Sequence, residues 1–66
     1  MENNLKAART GKNLTQSELA GLAGVTRQTI GLIEAGKYNP TLKLCLILGL
    51  ILERSLEELF SIREDN

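Results

Sequence analysis

The amino-acid sequence predicts an all-α fold, in which residues 1–66 form one compact domain of five short helices. Two observations support this prediction. Capping residues recur ahead of segments whose apolar residues are spaced three and four positions apart, and no stretch alternates apolar and polar residues for long enough to form a strand. A chain of 66 residues can bury only about 60 per cent of its unfolded surface, so a single small core is expected.

The first helix is predicted from about Leu5 to Thr10. Asn3 or Asn4 is the expected N-cap, because a short polar side chain can accept a hydrogen bond from a free backbone N–H of the first turn. Gly11 follows at a position where helices commonly stop.

The second helix is predicted to open with a capping box. Thr15 and Glu18 lie three positions apart, so that each side chain can accept a hydrogen bond from the backbone N–H of the other residue. The helix is expected to continue to Ala23. Gly24 follows it, where a left-handed backbone conformation is easiest to adopt.

A third helix is predicted from Arg27 to Ala35, with Thr26 as its N-cap and Gly36 at its end. Within it, Ile30 and Ile33 lie on one face, about one turn apart. These two residues identify the buried side of the helix.

Two further helices are predicted after a loop at residues 37–40. Thr41 caps a fourth helix that runs to about Leu52, and a second capping box, Ser55–Glu58, opens a short fifth helix. The apolar residues of the fifth helix are Leu56, Leu59 and Phe60. The tail, residues 63–66, is polar.

The composition offers little material for catalysis. Histidine is absent and the single cysteine, Cys45, lies in an apolar run, so that no zinc-binding set, Ser/His/Asp triad or Cys/His pair can be assembled. We therefore expect no enzymatic activity, no metal, no cofactor and no small-molecule ligand. We interpret Cys45 as a small core residue rather than a redox sensor.

The sequence also shows no targeting or membrane segment. Its N-terminus has no basic region followed by an apolar stretch, and the longest apolar run, Leu44–Leu52, is far shorter than the roughly 20 residues that cross a bilayer. A lone cysteine cannot form a disulfide within the chain, which fits a reducing compartment. We expect a cytoplasmic protein.

The charges are unevenly distributed. Eight basic and eight acidic residues give a net charge of zero, which argues mildly against nucleic-acid binding because affinity for phosphates comes from positive charge. Residues 1–40, however, carry a surplus of two positive charges, and residues 41–66 a deficit of two. A weakly basic half is thus joined to an acidic half.

Between Thr15 and Asn39, the predicted second and third helices form a helix-turn-helix. Their short connection contains Gly24, and the third helix has a polar outer face. DNA-binding repressors use this arrangement to place the second of the two helices in the major groove. Spacing alone leaves open the alternative of a helical hairpin with a solvated polar face.

Residue identities favour DNA binding. Three segments, Leu14–Ala20, Gly24–Ile30 and Ile33–Pro40, closely resemble the Cro and lambda-repressor-like (XRE) family of phage and bacterial regulators, and Ser55–Phe60 continues the match. The resemblance covers nearly the whole chain. It implies a five-helix lambda-repressor-like domain whose helix-turn-helix spans about residues 15–36, with double-stranded DNA as its partner.

The outer face of the third helix supplies the candidate base-reading residues. Gln28 can pair with the N6 and N7 edge of adenine and Arg27 with O6 and N7 of guanine, each good contact discriminating by about 1–3 kcal/mol. Thr29 can touch a phosphate or a thymine methyl, and Leu32 only a thymine methyl. Gly31 weakens the helix by about 1 kcal/mol relative to alanine, which a close approach to the duplex would explain.

The resemblance also implies contacts with the DNA backbone. In relatives, the glutamine at the place of Gln16 contacts a phosphate and braces the recognition helix, and the positive end of a helix dipole gives the physical reason. We assign the same kind of contact to residues near the two ends of the third helix: Thr26, Lys37, Tyr38 and Asn39. Such contacts set the register on DNA without carrying sequence information.

Arg9 and Glu34 match a pair that, in relatives, ties the first helix to the third. We assign both residues to structure. As an exposed pair, they would contribute under about 1 kcal/mol.

The fourth helix is too apolar to be covered by one small core. All its residues except Lys43 and Gly49 are apolar, so only these two are left to face water. If Cys45, Leu48 and Leu52 point inward, a second apolar stripe lies on an adjacent face, formed by Leu44, Ile47 and Ile51. An exposed patch of this kind marks an interface. The residues that we assign to a homodimer interface are Leu44, Ile47, Leu50 and Ile51.

The same residues allow an alternative, a larger core covered by the fifth helix and by Ile62 in the tail. Glu53 and Arg54 stand where relatives commonly have a glycine and an apolar residue. We therefore expect a distorted turn into the fifth helix.

The sequence predicts a sequence-specific transcriptional regulator, a nucleoid-associated repressor that binds an inverted-repeat operator as a homodimer. The half-sites would lie about 34 Å apart, one turn of DNA. The alternative is an antitoxin or protein-interaction adaptor that uses the apolar fourth helix, with DNA binding secondary. Zero net charge and Leu32 on the reading face favour that alternative slightly.

Overall fold

The computed structural model describes residues 3–60, which form five α-helices and no strand. The helices are α1 (Leu5–Gly11), α2 (Gln16–Ala23), α3 (Arg27–Glu34), α4 (Leu42–Leu52) and α5 (Leu56–Leu59). The all-α prediction and its five helices are confirmed, with ends that differ by one residue at α1 and α3. The predicted polar tail and Ile62 lie outside the described residues.

The predicted hydroxyl caps are all present. The side chains that accept a hydrogen bond from the backbone N–H three residues later are Thr15, Thr26, Thr41 and Ser55. Both capping boxes are complete, because the carboxylates of Glu18 and Glu58 accept from the backbone N–H groups of Thr15 and Ser55 at 2.8 and 2.7 Å. Local sequence therefore determines where these helices begin.

The start of α1 is fastened to two other helices. Asn4 occupies the N-cap position without a capping side chain, and the Asn3 side chain accepts from a first-turn N–H at 3.0 Å instead. Asn3 also donates to the carbonyl of Ile33 at 2.7 Å. Asn4 donates through its backbone to the carbonyl of Leu59 at 2.8 Å and through its side chain to that of Glu58 at 2.9 Å. We call these contacts of residues 3 and 4 with the ends of α3 and α5 the asparagine clasp.

Every helix contributes to one core. Its fully buried large side chains are Leu5, Leu19, Ile30, Ile33, Leu48, Leu52 and Leu59. The predicted inner stripe of α4 is wrong at one position, since Leu44 is buried in the core and Cys45 is only half-buried. Both residues are neighbours of Leu48, four and three positions before it, so helical spacing does not distinguish them.

The prediction that Gly49 faces water is wrong. A Cβ atom at this position would lie 2.8 Å from the backbone oxygen of Arg54. Glu53 ends α4 in the left-handed region at φ 56°, and the Arg54 N–H donates to the Gly49 carbonyl at 3.0 Å. Glu53 thus takes the left-handed conformation of an ordinary helix cap, and the distorted turn expected here is not observed. The turn folds the chain back onto α4, and this close approach requires a glycine at position 49.

Two features are absent from the described part of the chain. No helix within residues 3–60 is long and apolar enough to cross a membrane. The same residues contain no group of three or more His, Cys, Asp or Glu side chains placed to hold a metal ion.

Candidate nucleic-acid interface

α3 has an exposed face that begins with polar residues. Arg27 and Gln28 in its first turn are exposed, and Leu32, one turn further on, is 39% exposed. Ile30 and Ile33 on the opposite side are fully buried. The predicted inner and outer faces of α3 are therefore confirmed, while the base-reading role of the outer face stays a prediction.

Thr29, another candidate base-reading residue, is half-buried and already hydrogen-bonded. Its hydroxyl lies 3.0 Å from the hydroxyl of Thr26, and its backbone N–H donates to the same Thr26 oxygen at 3.2 Å. Because each hydroxyl carries one hydrogen, only one of the two can donate within the pair. Thr26 and Thr29 therefore retain one hydrogen-bond donor between them at the N-terminus of α3.

Arg9 and Glu34 form an ion pair between α1 and the end of α3. Arg9 Nε lies 2.6 Å from Glu34 Oε2, and the two side chains are only 10% and 5% exposed. Arg9 Nη1 also donates to the carbonyl of Leu14 at 2.8 Å. The structure brings the expected partners together, but the expectation of an exposed pair is wrong, because the side chains are enclosed between α1, α3 and the start of α2. A buried pair is more sensitive than an exposed one to the loss of either partner.

Gln16, the first residue of α2, is held by the same carboxylate. Its Nε2 atom donates to Glu34 Oε1 at 3.0 Å, and Arg9 Nη2 reaches that oxygen at 3.3 Å. Since a carboxylate only accepts hydrogen bonds, the amide nitrogen of Gln16, and not its oxygen, faces Glu34. Within residues 3–60, one amide hydrogen and the amide oxygen of Gln16 are then left for other partners.

Gly31 lies on α3 opposite the Gln16 side chain. A Cβ atom added to Gly31 would meet Gln16 Nε2 at 3.8 Å, which is ordinary van der Waals contact. Packing within the described protein therefore does not require a glycine at this position.

The candidate backbone-contacting loop follows α3. Gly36, at φ 74°, turns the chain away from the helix. Lys37, Tyr38 and Asn39 are all exposed, and Tyr38 retains 43% of its accessible surface. Candidate DNA-backbone residues thus flank the exposed face of α3 at both of its ends.

α4 exposes an apolar surface that the sequence analysis identified only in part. Leu42, Leu46 and Leu50 lie four residues apart and are 67%, 50% and 80% exposed. We call these three residues the α4 ridge. On a helix that is almost wholly apolar, spacing gives several equivalent ridges, and only the position of the rest of the fold shows which one is exposed.

The residues assigned to a dimer interface have different environments. Leu50 belongs to the α4 ridge, and Ile47 and Ile51 are half-buried. Placing Leu44 on an exposed face is wrong, because this side chain is only 9% exposed and belongs to the core.

The chain matches helix-turn-helix proteins over the length of this fold. It matches the helix-turn-helix family HTH_3 over residues 5–59. It is 45% identical over 65 residues to the HTH-type transcriptional regulator MJ0272 of Methanocaldococcus jannaschii, a match that covers 98% of each chain.

Two solved structures show the same lambda-repressor-like fold. The restriction-modification controller protein C.AhdI from Aeromonas hydrophila has a TM-score of 0.79 and 38% identity, over 86% of this chain and 83% of that one. The biofilm regulator SinR, solved in complex with DNA, has a TM-score of 0.76 and 29% identity, over 82% and 87% of the two chains. The chain therefore belongs to the HTH_3 (XRE) family and is a DNA-binding helix-turn-helix transcriptional regulator.

Proposed function

We propose that this regulator reads a specific inverted-repeat operator through the major groove, acts as a homodimer, and represses transcription by occluding a promoter. The exposed polar first turn of α3, with Arg27 and Gln28 opposite the buried Ile30 and Ile33, is the observation that carries this proposal. The similarity to SinR, which has been solved with DNA, supports it.

Base reading is assigned to the outer face of α3. Arg27 pairs with guanine and Gln28 with adenine, because their side chains match the donor and acceptor patterns of those bases in the major groove. Leu32 and the Thr29 methyl group contact thymine methyls. The face has few hydrogen-bonding groups beyond its first turn, so each subunit binds modestly and two copies are needed.

Phosphate contacts are assigned to groups at both ends of α3. The second amide hydrogen of Gln16 and the free hydroxyl hydrogen of the Thr26–Thr29 pair donate to one phosphate region. Lys37, Tyr38 and Asn39 contact the backbone at the other end. Lys37 forms no ion pair within residues 3–60, so its charge is available for a phosphate.

The homodimer places two copies of α3 about 34 Å apart, one turn of DNA, on the two halves of the operator. The protein works in the cytoplasm, associated with the nucleoid. Similarity to transcriptional regulators does not favour the alternative of an antitoxin or adaptor for which DNA binding is secondary.

Selection of bound duplexes from a random library tests sequence specificity, and titration of the selected duplex against salt tests phosphate binding. We expect one enriched inverted repeat and an affinity that falls as salt rises. Replacing Gln28 with alanine should relax base preference, whereas Lys37→Ala should weaken all sequences alike. Enrichment of no sequence, or equal effects of the two substitutions, would overturn the proposal.

A further inference from the structure

A groove lies beside one end of the α4 ridge. It has a volume of about 630 Å³ and its apolar lining includes Leu42, Cys45, Leu56 and Phe60. At the other end of the ridge, Leu50 projects from the surface with 80% of its area exposed. A smaller groove lies beside Leu50, so that each end of the ridge combines an exposed leucine with a groove, four residues on either side of Leu46.

We propose that a second copy of this chain packs against the α4 ridge with α4 antiparallel to its counterpart and Leu46 on the two-fold axis. Leu50 of each copy then meets Leu42 of the other copy and fills the adjacent groove. This inference rests on the proposed homodimer and specifies its interface.

The spacing of the ridge favours direct packing of helix on helix. Rows of residues four apart interdigitate when two helices cross at about −50° with their axes 8–10 Å apart. An antiparallel pair also sets the helix dipoles in opposition, which is favourable. In a parallel pair, by contrast, Leu50 would face Leu50 and Leu42 would face Leu42.

The charges at the two ends of the ridge are complementary. Glu57 lines the groove beside Leu42, and Arg54 lies with Leu50 along a second groove between α4 and α5. Neither side chain forms an ion pair within residues 3–60. The two-fold axis brings Glu57 of each copy towards Arg54 of the other. The arrangement that fills the grooves therefore also forms two ion pairs between the copies, one at each end of the interface.

Cysteine cross-linking tests the register, in a background where Cys45→Ala removes the native thiol. Two cysteines form a disulfide when their Cα atoms lie about 4.4–6.8 Å apart. We expect Leu46→Cys to cross-link to itself. Leu42→Cys alone should not, but a mixture of Leu42→Cys and Leu50→Cys chains should give the mixed disulfide. Leu22→Cys is the matched control, since Leu22 is a 62% exposed leucine on α2 and lines a different groove from the ridge residues.

Self-linking of Leu42→Cys in preference to the mixed pair would overturn the antiparallel register. A monomer at all concentrations by sedimentation would overturn the interface altogether.

Charge exchange gives a second, independent measurement. Arg54→Glu sets a carboxylate against Glu57 of the other copy at both ends of the interface, and should raise the dimer dissociation constant by at least about tenfold. Combining Arg54→Glu with Glu57→Arg makes the facing charges opposite again and should restore the original dissociation constant. If the double variant dimerises no better than the single one, the pairing is wrong. Failure of this interface is distinguishable from failure of DNA reading, because a monomeric variant would still prefer the selected half-site over a scrambled one.

Discussion

Gln16 and Glu34, eighteen residues apart in the sequence, are joined by a hydrogen bond of 3.0 Å from the amide of one to the carboxylate of the other. The same carboxylate is paired with the buried guanidinium of Arg9. Arg9 of α1 thus holds Glu34 of α3, and Glu34 in turn orients Gln16, the first residue of α2. The arrangement ties the start of α2 to the end of α3 and leaves one amide hydrogen of Gln16 without a partner among residues 3–60.

Glu34→Ala should destabilise the domain by about 3–5 kcal/mol, because it leaves the Arg9 guanidinium buried without its partner. Urea denaturation followed by circular dichroism measures this loss. Lys12→Ala is the control: it breaks the exposed pair of Lys12 and Glu53, 3.2 Å apart, and should change stability by under about 1 kcal/mol. Equal losses for the two variants would contradict the argument from burial.

Gly31→Ala should stabilise the domain by up to about 1 kcal/mol, since alanine favours the helix and its Cβ fits beside Gln16. Operator affinity should nevertheless fall by about tenfold, roughly 1.4 kcal/mol, if the duplex approaches α3 at this point. Gly21→Ala on α2, where a Cβ would meet nothing within 4 Å, should give similar stabilisation with unchanged affinity. A Gly31→Ala protein that binds DNA normally would remove the proposed close approach.

Gly49→Ala should destabilise the domain by about 1–3 kcal/mol, because the added Cβ meets the Arg54 carbonyl, a backbone atom that cannot turn aside. Thermal unfolding should show the loss. Gly21→Ala again serves as the control for helix propensity alone. An unchanged melting temperature would show that the turn after α4 can open without penalty.

Glu53→Gly should raise stability by about 1 kcal/mol, since glycine adopts the left-handed conformation at this position without steric penalty. The substitution also removes the exposed pair with Lys12, whose small contribution the Lys12→Ala variant measures separately. The difference in the free energy of unfolding between the two variants, measured with denaturant, gives the contribution of the backbone conformation at residue 53. A loss of stability beyond that of Lys12→Ala would argue against strain at Glu53.

Stability should depend on the ionisation of Glu58 in acid. The backbone N–H of Ser55, at 2.7 Å, and then the Ser55 side chain hold the pKa of Glu58 below its ordinary value of 4.5. A lowered pKa in the folded state means that this contribution is complete above pH 4.5 and is lost as the pH falls through the folded pKa. Glu58→Gln should therefore flatten the pH dependence of the melting temperature below pH 4.5. Glu53→Gln, a substitution at an exposed acid without a capping contact, is the control and should leave the slope steeper than Glu58→Gln does.

Much of the fold follows from local sequence, because capping depends on residues three positions apart. Thr15, Thr26, Thr41 and Ser55 each mark a helix start that the structure contains. The inner and outer faces of α3 follow in the same way from the spacing of two isoleucines.

The sequence predictions that are wrong concern contacts between distant segments of the chain. Spacing along α4 does not decide between Leu44 and Cys45, and nothing near Gly49 in the sequence shows that the Arg54 carbonyl folds back onto it. The pairing of Arg9 with Glu34 could be expected by resemblance, but its burial depends on how three helices meet. The bond from Gln16 to Glu34 has no local signal at all.

The asparagine clasp has a consequence for how the domain forms. Asn4 and Glu58 are 54 residues apart, so their hydrogen bond closes a loop that includes nearly every element of the fold. Contacts of such high sequence separation form late and slow the folding of a small helical domain. The clasp also makes unfolding cooperative, since releasing α5 frees the start of α1 and, through Asn3, the last turn of α3. During synthesis, the start of α1 is therefore fully secured only after residues 58 and 59 have joined the fold.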